Sequence, residues 1–555
     1  MTEPDKFFSR IYWALLLGCG LVCLFQIVSM ANLSRVWDDA FMYVRYANNI
    51  VSQGKASWNP GGEATYGLTS PFYLLVVLAV RSWVSGNAGI IALVSSTICG
   101  FGFIGLVLFT VNRYLEAERQ IKRVFLLFLF FYLAVSIELF STHLVSGMDT
   151  TFALLYLAGY IYISKNFERD PTTGNSLFMG IWGGFAYFAR PDLMLYSFLV
   201  PGTMFFFAKE KETRKNSWLV LKITLGILAG QLLLASYYFH SFFPLPFYVK
   251  AFKYYGDLIY KNYRQTAGIE LSRYFKAYKG LFLIIGAAIF MNPKEWWKNG
   301  SSLDKGLLLA SLVFILYYRL LVLQIMHLQS RFYYPTLAAV IFLASQGVMA
   351  IARKIPYSFK GELKKLPKAI TLAAVFFLLP YLFISLIASF ANMRRSFSLN
   401  ILRDSSVMES YRRNWNANWF VLDKFSRLGD DLVIAATEVG CPGVLNPRKT
   451  IIDLAGLNET DFAHQGFSAD LFFKKYRPDL IYIPHPHYEK MIHELTRHPV
   501  FIKDYEYFKR SDISWALLGI AIRKDSRYYP AMRKMILKEI EDRKGKMDFH
   551  RNVLL

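Results

Sequence analysis

Four cysteines in 555 residues are too few for a disulfide framework: Cys19, Cys23 and Cys99 lie inside apolar runs and Cys441 stands alone. The redox compartment is therefore unread. The chain also lacks a GxxxxGK[ST] loop, which excludes a P-loop nucleotide site, and a GxSxG elbow, which excludes the common serine-hydrolase arrangement. It has no internal repeat and no low-complexity tract, so a solenoid is excluded. Charged residues make up only 19%, and they are unbalanced: 63 Lys and Arg against 40 Asp and Glu leave a net charge of +23. Such an excess suits either nucleic acid or an anionic membrane surface, and the position of the positives decides between them.

What the chain has in quantity is apolar surface. Hydrophobic residues are 54% and aromatics 17%, gathered into repeated long runs, which predicts a polytopic α-helical membrane protein. The first run, 11–31, follows Lys6 and Arg10 and lacks a small-residue cleavage site, so an uncleaved anchor with a cytoplasmic N-terminus is expected. Residues 71–84 are short of the roughly twenty needed to span and contain Arg81; an interfacial helix is expected there. Residues 88–111 then run inward and place Arg113, Arg119, Lys122 and Arg123 in the cytoplasm. Further spans are expected at 124–140, 150–163, 177–189, 193–207, 218–239, 281–291, 306–323, 336–351 and 370–390, about eleven in all, with the richest basic loops inside. The positives thus follow membrane topology, and nucleic acid is not an expected partner.

After about residue 393 the character changes. LVIAAT, TIIDLAGL, PDLIYIP, VFIKDYEYF and WALLGIAI are short β-rich runs between polar and helical stretches, and they predict a small α/β domain. Met532, Met535, Ile536 and Ile540 recur at helical spacing within 530–546, which predicts a terminal amphipathic helix. The expected division is a transmembrane domain at 1–392 and an extracytoplasmic domain at 393–555.

With this topology the unexplained polar residues come out on the outer face: Asp38, Asp39, Arg45, Asn59 and Glu63, then His143, Ser146 and Asp149, then Arg190 and Asp192, then His240, Tyr248, Lys250 and Lys253, and last His327 and Arg331. The loop 237–276 carries Lys250, Lys253, Lys261, Arg264, Arg273 and Lys276 against Asp257 and Glu270, contrary to the positive-inside bias. A lipid phosphate or diphosphate at the outer surface would explain it, and so would bulk anionic headgroups. In VWDDAFMYVRYANN a helix starts at the acids, and one acid satisfies its first turn. The second is surplus. Two adjacent like charges raise a pKa or call for a cation, which fits a general base or a metal ligand. No cofactor follows from this; a divalent cation is the one candidate.

These strings also carry a family resemblance. DDAFMYVRYANNIVSQGKASWNPGGEATYGLTSPFYLL, VSGMDTTFALLYL, FARPDLMLY, YYFHSFFPLPFYVK and SRFYYP, followed by TEVGCPGVLNPRKTIIDLAGLNETDFAH and RPDLIYIP, resemble the successive landmarks of bacterial GT-C glycosyltransferases, most similar to the terminal arabinofuranosyltransferases of mycobacterial cell-wall assembly. The resemblance implies a multi-span fold with juxtamembrane helices, a polyprenyl-phosphate sugar donor, a cell-envelope glycan or glycolipid acceptor, and a catalytic acid in the first outer loop. It also implies the cytoplasmic (inner) membrane, with the active site on the extracytoplasmic face. The paired-acid landmark falls on Asp38 and Asp39, the GMD landmark on Gly147 to Asp149, the RPD landmark on Arg190 to Asp192, and the lysine landmark on Lys250. Phe239-His240 stands where the family has Gly-Asp, and Leu245-Pro246-Phe247 where it has Pro-Asn followed by Thr or Phe, so the sugar does not carry over.

Transfer from a polyprenyl phosphate needs a base for the acceptor hydroxyl and cations for the departing phosphate. One of Asp38 and Asp39 is expected to be the base and the other to position it. Lys250, Arg331 and His327 are expected at the phosphate, with Asp149 on sugar hydroxyls or capping the next helix, and Arg190 and Asp192 either binding substrate or pairing with each other. Arg45 and Tyr248 complete the candidate binding set. HPHYEKMIHE does not read as a zinc site, because Pro486 breaks the helical pairing of its histidines. The rival reading is a transporter or flippase of a lipid-linked sugar, which calls for ionisable residues at mid-membrane; Glu138, Lys222 and Arg319 lie toward span ends instead.

Overall fold

A computed structural model describes residues 36–84, 86–115, 126, 129, 138–251, 263–291, 293–322, 324, 328–354, 424–483, 488–508 and 520–544. The expected spans at 11–31 and 370–390, most of 124–140, His327 and the histidines at 485 and 487 lie outside the described residues. The chain forms two compact units. One comprises Met1–Arg35, Leu93–Gln231 and Arg264–Ile401; the other comprises Val36–Ala92, Leu232–Tyr263 and Leu402–Leu555. Val36–Ala92, expected as the first outer loop, therefore clusters with the C-terminal residues, a grouping that differs from a simple cut near residue 393.

The first unit is helical in its described residues. Ala88–Tyr114, with 27 residues, and Lys211–Phe239, with 29, are long and apolar enough to cross a membrane, while Pro191–Phe207, Lys279–Phe290 and Tyr334–Val348 are apolar but shorter. Of the eleven expected spans, two are matched among the described residues by helices long and apolar enough to cross a membrane. Met194–Phe207 packs against Ser302–Leu320, where Tyr196 Oη and Ser311 Oγ lie 2.9 Å apart. Pro191 starts the single 3-10 turn Pro191–Leu193 ahead of Met194–Phe207; its ring presets φ and its missing N–H costs nothing at a helix start. This turn carries Asp192 to the Tyr318 end of Ser302–Leu320.

The second unit is built on a five-stranded mixed sheet in the order β2-β1-β3-β5-β4. β1 is Ile434–Ala436, β2 Ile451–Asp453, β3 Leu480–Tyr482, β4 Tyr505–Phe508 and β5 Ile520–Arg523. Each lies in one of the five β-rich runs. β1 pairs parallel with β2 and β3, and β5 pairs antiparallel with β3 and β4. Parallel strands need crossovers, and the helices Gly440–Leu445 and Thr460–Gln465 with Ala469–Lys475 supply them. β2 is an edge strand, and Asn59 covers it: its amide accepts the Ile451 N–H at 2.8 Å and donates to the Ile451 carbonyl at 3.1 Å, as a neighbouring peptide would. The closing helix Tyr529–Lys544 buries Met532 and Ile536, one turn apart. Pro71–Trp83 is a helix of 13 residues, as its length and Ser70 cap imply.

Candidate active site

The paired acids open the helix Asp38–Gln53, with Trp37 at the cap position and both carboxylates in the first turn. Asp38 does more than favour its own helix. Its Oδ2 accepts the Gly440 N–H at 2.9 Å and its Oδ1 the Cys441 N–H at 2.7 Å, so it neutralises the start of the Gly440–Leu445 helix. The approach is close enough that a Cβ on Gly440 would fall 1.8 Å from the Asp38 carbonyl oxygen, which is why glycine stands there. Two turns further on, Arg45 reaches the other end of that short helix. Its five N–H donors go to the carbonyls of Trp58, Gly443, Asn446 and Lys449 and to Asn59 Oδ1. The seven-residue spacing puts both charges on one helix face, about 10 Å apart, to match the ends of a six-residue helix.

Arg45 was expected in the binding set. At 1% exposure, with every donor occupied, it is a clamp, and no nitrogen is left for a phosphate.

Carboxyls gather around Asp38. Burial, with the Asp39 charge adding, pushes its pKa up to about 7 against the Cys441 and Gly440 N–H groups. Glu438 is held well above the usual range by burial and then by Asp38, Asp39 and Asp453. Asp453, at the end of β2, is pushed up to about 7 by burial although it accepts from Ala455 N at 2.9 Å and from Asn458 N and Nδ2 at 2.9 and 2.8 Å. Asn458 in turn accepts from Tyr46 Oη at 2.9 Å. Glu438 escaped the reading of the sequence; the only available signal was its place two residues after β1, at a strand's carboxyl end. Among the described residues no group of three or more His, Cys, Asp or Glu has the geometry to hold a metal ion.

Lys250 and Tyr248 belong to this same unit. They sit on Leu245–Ala251, whose first N–H bonds the Tyr66 carbonyl at 2.8 Å, and the Tyr248 ring meets His464 edge-on at 4.3 Å. His240 has a φ of 54°, a left-handed turn that His, like Asp, adopts more readily than most residues.

The other candidates belong to the helical unit. Arg190 Nη2 and Asp192 Oδ2 form a buried ion pair at 2.9 Å, and Tyr318 Oη donates to the same carboxylate oxygen. Asp192 Oδ1 is buried with no hydrogen-bond partner. Burial raises the Asp192 pKa although Arg190 opposes it. Asp149 occupies the cap position of Thr150–Arg169 but makes no side-chain cap bond, so the capping role does not hold; it is 6% exposed, and its charge acts on Arg190. His143 is buried and its Nε2 lies 2.9 Å from the Gln329 carbonyl; burial lowers its pKa to about 3, so it is neutral. Arg331 is 6% exposed with its guanidinium 4.9 Å from the Phe332 ring. Just before it, Gln329 and Ser330 both have positive φ, 56° and 60°. Glu270 holds them there: its Oε2 accepts from Ser330 N at 2.7 Å and from Ser330 Oγ at 3.0 Å. Nothing in the sequence announced Glu270 or this strained pair.

No protein-family profile matches the chain, and no curated protein matches it in sequence. In fold it is similar to an archaeal oligosaccharyltransferase, AglB from Archaeoglobus fulgidus in complex with an inhibitory peptide and a dolichol-phosphate, with a TM-score of 0.52 and 11% identity over 95% of this chain and 75% of that one. The likeness is one of architecture.

Proposed function

We propose that the chain is a membrane glycosyltransferase that moves a sugar from a polyprenyl-phosphate donor to a glycan or glycolipid acceptor of the cell envelope on the outer face of the membrane. The observation that carries this is a likeness of fold across 95% of the chain to an enzyme solved with a lipid phosphate, joined to a carboxylate held by two backbone N–H groups where the first outer loop begins. Asp38 is the base. The N–H groups of Gly440 and Cys441, with that of Val439 beside them, occupy part of its roughly four lone-pair sites and aim it, leaving room for the acceptor proton. Burial, with the Asp39 charge adding, raises its pKa to about 7, where a general base works best near neutrality. Asp39 tunes it. Lys250, in the same unit as Asp38, is the cation proposed for the donor's phosphate, where charge grows as the sugar leaves, and Arg331 is a second candidate on the sequence alone. A pentose such as arabinofuranose is the proposed sugar, on the resemblance alone.

The test is to incubate purified protein with a panel of polyprenyl-phosphate sugars and an acceptor extract and to measure polyprenyl phosphate release. Release with at least one donor, lost in Asp38→Asn, supports the reading; no release with any donor removes it. Lys250→Ala and Arg331→Ala, made separately, should weaken donor binding and slow turnover together, because one contact grips the ground-state phosphate and steadies the leaving one.

A further inference from the structure

A cavity of about 620 Å³ opens in the helical unit, lined by the end of Ala88–Tyr114, the end of Thr150–Arg169 and the start of Ser302–Leu320. Three cations line it: Arg113, Lys165 and Arg169. Arg113 stacks on Tyr114 and Tyr162 and donates one bond, at 3.0 Å, to Tyr162 Oη, which orients its planar fork without using it up. Glu168 is already satisfied, taking Lys165 Nζ at 2.7 Å on one oxygen and Ser301 Oγ and Leu303 N on the other. Asp304 is not. Its backbone N–H goes to Ser301 Oγ at 3.3 Å, but its carboxyl Oδ1 is buried with no hydrogen-bond partner, and it lines the cavity. The remaining wall is mostly apolar, with Ile285, Ile289 and Leu308, and includes Gln346.

Cations alone would accept any phosphate, and an apolar wall alone any chain. The unpartnered carboxyl oxygen narrows the choice, because a buried acceptor left unmade is costly and is relieved only by a donor. We propose that this cavity binds a phospholipid whose headgroup carries its own hydrogen-bond donor, an ammonium or a hydroxyl, with the phosphate on Arg113 and Arg169, the donor on Asp304 and an acyl chain along Ile285, Ile289 and Leu308. Burial and the neighbouring Glu168 charge push the Asp304 pKa to about 7, so it is poised to ionise when an ammonium arrives. This site is independent of glycosyl transfer, and its test does not use that activity.

Purified full-length protein is exchanged into equal amounts of phosphatidylethanolamine, phosphatidylglycerol and phosphatidylcholine, and retained lipid is counted by native mass spectrometry. The first two should be retained over phosphatidylcholine, which has no headgroup donor, by about tenfold, one hydrogen bond's worth. Asp304→Ala should erase that preference while keeping all three lipids, and the double variant Arg113→Ala, Arg169→Ala should lose all three. Equal retention of the three by the unaltered protein overturns the proposal without recourse to any variant. So does displacement of the lipid by millimolar inorganic phosphate, which would make the site one for a free anion.

Discussion

Arg45→Lys keeps the charge and most of the length of the clamp but not its fork. Lysine offers three donors where Arg45 serves five acceptors, so at least two of the five bonds at Trp58, Asn59, Gly443, Asn446 and Lys449 are lost, although Trp58, Asn59 and Asn446 also accept from Asn49, Ile451 and Lys449. At about 1 kcal/mol net for each hydrogen bond lost, the cost is about 2 kcal/mol, and it falls on the docking of Gly440–Leu445 against Asp38–Gln53. Cys441 reports that docking directly: it is 1% exposed and its N–H is bonded to Asp38. In a background with the other cysteines replaced by serine, opening by about 2 kcal/mol raises the labelling rate of Cys441 by roughly thirty-fold when reclosing is fast. Donor affinity, measured on the folded fraction, should be unchanged. If Arg45 grips the donor's phosphate instead, the pattern inverts: affinity drops and Cys441 labels at its original rate. That outcome would refute the clamp.

The carboxyl cluster makes two opposite pH predictions. Asp38, Glu438 and Asp453 all have raised folded pKa values, so the folded state keeps protons that the unfolded chain releases from about pH 4 upward. Their stabilisation is present at low pH and lost as pH rises through about 7; the melting temperature should fall between pH 5 and 8, and Glu438→Gln should flatten the slope. Activity runs the other way, since the base must be ionised: kcat/KM should rise with pH to a limb near 7 that belongs to the cluster as a whole. Asp39→Asn removes a charge that raises Asp38, so the limb should move to lower pH with turnover retained on its alkaline side; turnover abolished at every pH would make Asp39 the base instead.

How much of this was legible depends on the kind of interaction. The five strands were readable because each is a short apolar run bounded by polar residues, and the helix at Asp38 because acids and apolar spacing agree there. What joins Asp38 to Gly440, or Arg45 to Asn446, was not readable, because those contacts span about four hundred residues and single-chain periodicity holds no information about them. Arg45 looked like a binding residue because an arginine amid aromatics beside two acids has the same composition whether it faces a ligand or a set of carbonyls. The strained pair before Arg331 was hidden for another reason. Left-handed backbone usually shows as glycine or asparagine, and here it falls on Gln329 and Ser330, held by the distant Glu270. Strain kept at such a cost points to the residue it aims, and Gln329→Gly separates the two effects. Glycine relieves about 1–2 kcal/mol of left-handed penalty and gives back about 0.5–1 kcal/mol in chain entropy, so stability should hold or rise slightly. The Gln329 contact to His143 is through its carbonyl and survives the change. If the strain serves to hold Arg331 in place, donor KM rises in a protein that melts no earlier; a lower melting temperature with unchanged kinetics would show that the turn is scaffold alone.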